Sequence, residues 1–123
     1  RLEYDEKTQF AWSSLTASDF ERTGATPEHL ADIVDELLNN APNVKTTLLL
    51  YEETAKDAIV VTPSGDRPVA GILCTTPPYS ALELCKQFTP SGSKERAHFR
   101  LPTYSLRDAE KEIVEKIRAQ LTQ

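Results

Sequence analysis

The sequence of 123 residues has no methionine, one tryptophan, four glycines and only two cysteines. No run of residues from the set AVILMFWYC is longer than four, which excludes a membrane-spanning helix. The chain does not open with the charged and then apolar segment of a signal peptide. Cys74 and Cys85 have no four-ligand metal pattern around them, so we interpret them as reduced thiols and expect a cytoplasmic protein.

The composition is that of an ordinary folded domain. Hydrophobic residues make up 39% of the chain and charged residues 27%, which is typical of neither disordered nor fibrous proteins. The length fits one domain, so we expect residues 1–123 to form a single unit. Because the chain lacks an initiator methionine, we interpret it as a fragment of a longer protein.

The charges are unevenly distributed along the chain. Residues 1–60 carry five basic and twelve acidic side chains, whereas residues 61–123 carry nine and seven. Within residues 86–107, five basic side chains are accompanied by a single acid, Glu95. The net charge of −5 disfavours a general nucleic-acid coat protein, but this local excess suits an anionic ligand. The alternative is that these cations are ordinary solvated surface.

Hydrophobic periodicity and turn signals predict an α/β fold in the order β-α-α-β-β-β-α-β-α. Strands are expected over residues 8–13, 45–51, 58–62, 69–75 and 97–101. Helices are expected over residues 16–24, 27–40, 80–88 and 105–121. Because strands and helices do not alternate strictly, we expect a mixed sheet of about five strands packed with about four helices.

Caps and apolar stripes support the helices. Ser80 with Glu83 and Ser105 with Asp108 have the spacing of N-terminal capping pairs, and Gly24 suits a left-handed helix exit. Two helices carry apolar stripes of helical period and are expected to be buried. The stripe residues are Leu30, Ile33, Val34, Leu37 and Leu38 in one helix, and Leu106, Ile113, Val114, Ile117 and Leu121 in the other.

The sequence offers few groups for catalysis. His29 falls on the polar side of a predicted helix, where a solvated role is expected. His98 lies in a predicted strand and is interpreted either as a surface residue or as a ligand contact. No His, Asp or Glu cluster has metal-ligand spacing, and Cys74 and Cys85 fit buried packing. We therefore do not expect these residues to form a self-sufficient enzyme, even with added manganese.

Residues 88–99 are the most informative segment. Small hydroxyl residues surround a glycine, and cations follow at once, which suits a cradle for a phosphate group. The candidate substrate-binding residues are Ser91, Gly92, Ser93, Lys94 and Arg96, with His98 as an auxiliary contact. The alternative is a plain connection that uses Pro90 and Gly92 as turn residues.

This segment also carries a family resemblance. The pattern F-G-G-G-G-H-x-x-A-A-G-F aligns with residues 88–99 without a gap, and residues 12–13 and 20–28 resemble the same family's entry into a helix. Agreement occurs at Phe88, Gly92, Lys94, Ala97 and Phe99. The chain thus resembles the DHH-associated, C-terminal substrate-binding domain of DHH-family phosphoesterases, which include oligoribonucleases and phosphoadenosine-phosphate phosphatases.

The resemblance implies a function and partners. It implies a substrate-binding domain of a metal-dependent phosphoesterase that acts on short oligonucleotides or small nucleotides. The partners would be such a nucleotide, or a short single-stranded oligonucleotide, and a preceding DHH domain of the same protein. That domain would hold manganese and activate a water, while this chain holds no metal. The alternative is a non-catalytic ligand-binding, regulatory or domain-packing module that has lost nucleotide binding.

The chain departs from the family's pattern at several positions. Residues 89–91 replace three of its four glycines, Ser93 stands at its histidine and Cys74 at its strand arginine. His98 occupies a glycine position. Proline and side chains hinder the close backbone approach that glycine permits. We therefore expect weaker nucleotide binding than in the family.

Overall fold

A computed structural model describes residues 2–16, 43–52, 69–101 and 104–122, together with Arg22, Gly24, His29, Asp32 and Glu36. Six strands among these residues form one sheet in the order β1-β2-β3-β4-β6-β5. The strands are β1 (Leu2–Asp5), β2 (Phe10–Leu15), β3 (Thr46–Glu52), β4 (Val69–Thr75), β5 (Ser91–Gly92) and β6 (Arg96–Leu101). The helices are α1 (Ala81–Leu84) and α2 (Leu106–Leu121), with a 3-10 turn at Lys86–Phe88.

The sheet is mixed, as predicted. β2 and β3 are parallel, with Phe10 opposite Thr46, and every other neighbouring pair is antiparallel. A parallel pair needs a crossover connection, and the helices predicted over residues 16–24 and 27–40 fall in that connection. Most of this segment, including its apolar stripe, lies outside the described residues. Gly24 has a φ of 70°, the left-handed conformation predicted for it, and His29 is exposed.

The number of elements differs from the prediction. The described residues contain six strands rather than about five, because β1 and β5 were not predicted. Two α-helices have bounds within the described residues, so the expectation of about four is not borne out there, although Arg22, His29, Asp32 and Glu36 are also helical. The strand predicted over residues 58–62 lies outside the described residues. The strands predicted over 45–51, 69–75 and 97–101 are confirmed within one residue at each end.

Alternation along the strands gives the sheet two buried faces. One face packs against α2 and includes Phe10, Leu48, Leu73 and the α2 residues Ile113 and Ile117. The predicted stripe of α2 is thereby confirmed at four of its five positions, Leu106 being half-buried.

The second face carries a smaller cluster made by β3 and β4, with Leu49, Tyr51, Ala70, Ile72 and Cys74. Cys74 and Cys85 are both buried free thiols, as expected. Burial raises the pKa of Cys74 to about 11 and that of Cys85 to about 12. Both groups are therefore neutral packing residues.

The two predicted helix caps have different outcomes. The Ser105 hydroxyl accepts a hydrogen bond from the Asp108 N–H at 3.2 Å, which confirms the start of α2. Ser80 makes no side-chain cap bond, so the predicted capping pair at the start of α1 is wrong. The Ala81 N–H donates instead to the Lys94 carbonyl at 2.6 Å, and this bond joins α1 to the turn between β5 and β6. The helix predicted over residues 80–88 is correspondingly one short turn followed by the 3-10 turn.

Gly71 in β4 allows the close approach of an aromatic ring. Its register partner on β6 is Phe99, and a Cβ at position 71 would clash with the Phe99 ring. The tip of the ring lies over the glycine, and the ring stacks on Phe88 with centroids 5.3 Å apart. Because Gly71 has no Cβ, the Phe99 ring can lie close to β4. The stacked rings of Phe99 and Phe88 form one wall of the candidate site.

Neither described helix is long and apolar enough to span a bilayer.

Candidate functional site

The segment predicted to cradle phosphate is a tight hairpin between β5 and β6. Ser91 pairs with His98 and Gly92 with Ala97. The Ser93 N–H donates to the Arg96 carbonyl at 2.8 Å, and the Ser93 hydroxyl accepts from the N–H groups of Glu95 at 3.3 Å and Arg96 at 3.2 Å. Gly92 has a φ of 126°, which only glycine adopts readily.

These hydrogen bonds decide what the turn offers a ligand. The N–H groups of Ser93, Glu95 and Arg96 all donate hydrogen bonds within the hairpin. In a phosphate cradle, such N–H groups would instead point at the bound anion. The Lys94 carbonyl is engaged as well, because it accepts from Ala81.

β6 presents its side chains in strict alternation. Ala97, Phe99 and Leu101 are buried on the α2 face. Between them, Arg96, His98 and Arg100 lie on the opposite face, and we call these three residues the basic row. Residues two apart on a strand are roughly 6.6–6.8 Å apart, so the basic row is a linear array of groups able to bind anions.

A pocket of about 500 Å³ lies over the end of the basic row, and we call it the β6 pocket. Its lining comes from β3, β4, β5, β6 and the end of the 3-10 turn: Tyr51, Ala70, Phe88, Thr89, Ser91, His98, Phe99 and Arg100. Thr89 has a φ of 53° where the 3-10 turn ends, so the chain reverses sharply beside Phe88. This reversal brings Phe88 and Ser91 to the same concavity.

The lining is chemically suited to a phosphate ester. Arg100 and His98 supply nitrogen donors, Ser91 and Tyr51 supply hydroxyls, and Phe88 supplies an aromatic surface. Charge-assisted bonds from such groups to phosphate are about twice as strong as neutral ones. In the part of the chain that the structure describes, no group of three His, Cys, Asp or Glu side chains is arranged to hold a metal ion. The described residues therefore do not fit a manganese site.

The predicted site residues fall into two groups. Ser91 and His98 line the β6 pocket. Gly92, Ser93, Lys94 and Arg96 do not line it. Gly92 and Ser93 shape the hairpin, Lys94 is exposed, and Arg96 lies 3.9 Å from an Asp32 carboxylate oxygen. The candidate set from the sequence thus divides between the pocket and the turn beside it.

The candidate set from the sequence did not include Arg100, Tyr51 or Phe88, which also line the β6 pocket. Arg100 follows His98 by two positions on a predicted strand, so strand alternation already indicated that both share a face. Tyr51 lies on β3, and β4 separates that strand from β6. No local signal links Tyr51 to His98, because only the order of strands in the sheet brings them together.

No protein-family model and no curated protein sequence matches this chain. Solved structures do share its fold. One is an exopolyphosphatase-related protein from Bacteroides fragilis, which matches all of this chain with a TM-score of 0.71 and 12% identity. The chain spans 33% of that protein. Another is the C-Ala domain of Aquifex aeolicus alanyl-tRNA synthetase, which matches all of this chain and 99% of that domain with a TM-score of 0.65 and 12% identity. At this identity the likeness shows the fold: a single α/β unit shared with an exopolyphosphatase-related protein and a C-Ala domain.

Proposed function

We propose that this chain is the substrate-binding domain of a metal-dependent, DHH-family phosphoesterase that acts on short oligonucleotides or small nucleotides. The observation that carries the proposal is the β6 pocket, where Arg100, His98 and Ser91 line the same cavity as Phe88. The match of the whole chain to part of an exopolyphosphatase-related protein supports it. The gap-free resemblance of residues 88–99 to the family's glycine-rich segment supports it independently.

The pocket has separate groups for the two parts of a nucleotide. The phosphate binds Arg100 and His98, with the Ser91 hydroxyl as a further donor, because guanidinium and imidazole N–H groups suit phosphate oxygens. The nucleoside lies against Phe88 and Tyr51, since aromatic side chains bind bases and ribose rings without regard to sequence. This division favours phosphate esters over free nucleosides.

In this proposal, this chain binds the phosphate ester and a separate domain catalyses its hydrolysis. The described residues hold no metal cluster, and the chain corresponds to about a third of the exopolyphosphatase-related protein. The preceding DHH domain supplies the manganese and the activated water, and this domain positions the phosphate ester. The buried, reduced thiols suit a cytoplasmic setting.

A second candidate is a ligand-binding or packing module with no catalytic partner. The likeness to the C-Ala domain favours it, because the matching fold makes up 99% of that solved domain, which comes from an alanyl-tRNA synthetase. The engaged N–H groups of the hairpin also suit a module whose turn no longer binds nucleotide.

Calorimetric titration of the chain with adenosine monophosphate and with adenosine tests the proposal. We expect saturable binding of the monophosphate and at least tenfold weaker binding of adenosine, because only the former reaches Arg100 and His98 with a charge. Raising the salt from about 0.05 M to about 0.5 M is expected to weaken binding of the monophosphate more than binding of adenosine, since salt screens ionic attraction. Equal affinities, or no binding of the monophosphate, would contradict the proposal and favour the packing module.

A further inference from the structure

Thr89 has a backbone conformation that is costly for its residue type. Its φ of 53° and ψ of 61° lie in the left-handed region. There the Cβ of an L-residue approaches the following carbonyl oxygen, and a β-branched side chain fits worst. Pro90 adds a second constraint, because a residue before proline favours extended conformations. Glycine is the usual residue for such a position, so the threonine side chain indicates a role of its own.

The contacts on either side of Thr89 explain its conformation but not its residue type. On one side, the Phe88 ring stacks on Phe99. On the other side, Ser91 pairs with His98. The chain has to reverse between these two fixed points, and a glycine would do so with less strain. The pattern that this segment resembles has glycine here, so the hydroxyl is a feature of this chain.

The other described non-glycine residue outside the usual backbone regions has a structural compensation. Gln9 has a φ of 56°, and its carbonyl accepts hydrogen bonds from the N–H groups of Lys45 at 2.9 Å and Thr46 at 3.3 Å. These bonds join the turn before β2 to the start of β3. No hydrogen bond to another described residue holds Thr89 in this way.

Thr89 lies among the groups that the proposed function assigns to the phosphate. It lines the β6 pocket together with Ser91, His98 and Arg100. It also lines, again with Arg100, a neighbouring cavity of about 300 Å³. The residue is exposed, so a ligand in the pocket can reach it. Its hydroxyl is an uncharged hydrogen-bond donor, unlike the guanidinium of Arg100.

We infer that Thr89 is a ligand-binding residue whose hydroxyl donates a hydrogen bond to the phosphate group of the bound ester, at the expense of backbone stability. This inference rests on the proposed function, since it takes the β6 pocket as the phosphate site. It has two consequences of opposite sign. Relaxing the backbone at residue 89 stabilises the fold, whereas removing the hydroxyl weakens binding, and replacement by glycine does both.

The test is a calorimetric titration of adenosine monophosphate into the wild-type chain and four variants, with the melting temperature of each measured by circular dichroism. Thr89→Gly removes both the hydroxyl and the strain. Thr89→Ala removes the hydroxyl and keeps a Cβ, and Thr89→Ser keeps the hydroxyl. Gln9→Gly is the matched control, because it relaxes a left-handed residue that does not line the β6 pocket.

We expect Thr89→Gly to melt about 2–5 °C higher than the wild-type chain and to bind the monophosphate about three- to tenfold more weakly, as the loss of one uncharged hydrogen bond predicts. Thr89→Ala should lose the same affinity, and Thr89→Ser should stay within about twofold of the wild type. The loss should be equal at about 0.05 M and about 0.5 M salt, because the hydroxyl has no charge to screen. Gln9→Gly should leave the affinity unchanged.

Two results would overturn the inference and leave the proposed function standing. One is that Thr89→Gly binds the monophosphate as tightly as the wild type, or that Thr89→Ser loses as much affinity as Thr89→Ala, since the hydroxyl would then not contact the phosphate. The other is that Thr89→Gly melts at a lower temperature, since the threonine would then not strain the backbone. If the wild-type chain does not bind the monophosphate, the inference and the proposed function are both wrong.

Discussion

Replacing His98 and Arg100 together with alanine is expected to weaken binding of adenosine monophosphate by about a hundredfold or more. Both residues line the β6 pocket, and each offers phosphate a charge-assisted hydrogen bond. Such bonds contribute roughly 1.5–3 kcal/mol each, so the loss of two exceeds the roughly 2.8 kcal/mol of a hundredfold change. Calorimetric titration of the double variant and the wild-type chain measures the effect.

A matched double variant separates the pocket from the neighbouring turn. Lys94→Ala combined with Arg96→Ala removes two cations from residues that the sequence assigned to the site and that do not line the β6 pocket. We expect this variant to lose less than about threefold in affinity, through weaker long-range attraction alone. If the Lys94 and Arg96 double variant lost more affinity than the His98 and Arg100 double variant, the site would lie in the turn and not in the pocket.

Replacing Gly71 with alanine is expected to destabilise the fold by about 1–3 kcal/mol, the usual cost of overpacking a core. The new Cβ meets the Phe99 ring, which is 4% exposed and stacked on Phe88, so the ring has little room to move aside. Urea denaturation followed by tryptophan fluorescence at Trp12 measures the free energy of unfolding.

The control for Gly71 is a double-mutant cycle with Phe99→Ala. Phe99→Ala alone should cost about 3–5 kcal/mol, the usual range for a buried aromatic side chain. In that background, Gly71→Ala should cost nothing measurable, because the atoms that it would strike are absent. If Gly71→Ala costs the same in both backgrounds, its effect comes from the backbone and the ring does not depend on the glycine.

The parts of the fold that followed from the sequence are those whose signals are local. β3 and β4 are apolar, β-prone runs, and α2 has both a Ser105 cap and an apolar stripe. Each of these features is specified within about one element of the chain.

The missed strands depend on tertiary context. β1 is reached through a turn in which Gln9 has a φ of 56°, a conformation that glutamine does not signal. β5 consists of Ser91 and Gly92, residues typical of a loop, and it pairs with β6 because the Ser93 hydroxyl fixes the turn. Neither strand has an apolar run long enough to be recognised alone.

The candidate site also has some features with local sequence signals and others that depend on tertiary structure. Ser91 and His98, which the sequence singled out, line the β6 pocket. The shape of that pocket was not predicted, because Tyr51 joins it only through the order of strands in the sheet. A sequence pattern identifies cations that are neighbours along the chain, whereas the lining of a pocket depends on which side chains share one face of the sheet.

The most direct measurement is a two-dimensional proton–nitrogen nuclear magnetic resonance titration of the wild-type chain with adenosine monophosphate. We expect saturable shifts of the backbone resonances of Tyr51, Phe88, Ser91, His98 and Arg100, with smaller changes at residues 93–96. Shifts centred on residues 93–96 with the pocket residues unmoved, or saturable shifts on another part of the sheet, would contradict binding in the β6 pocket.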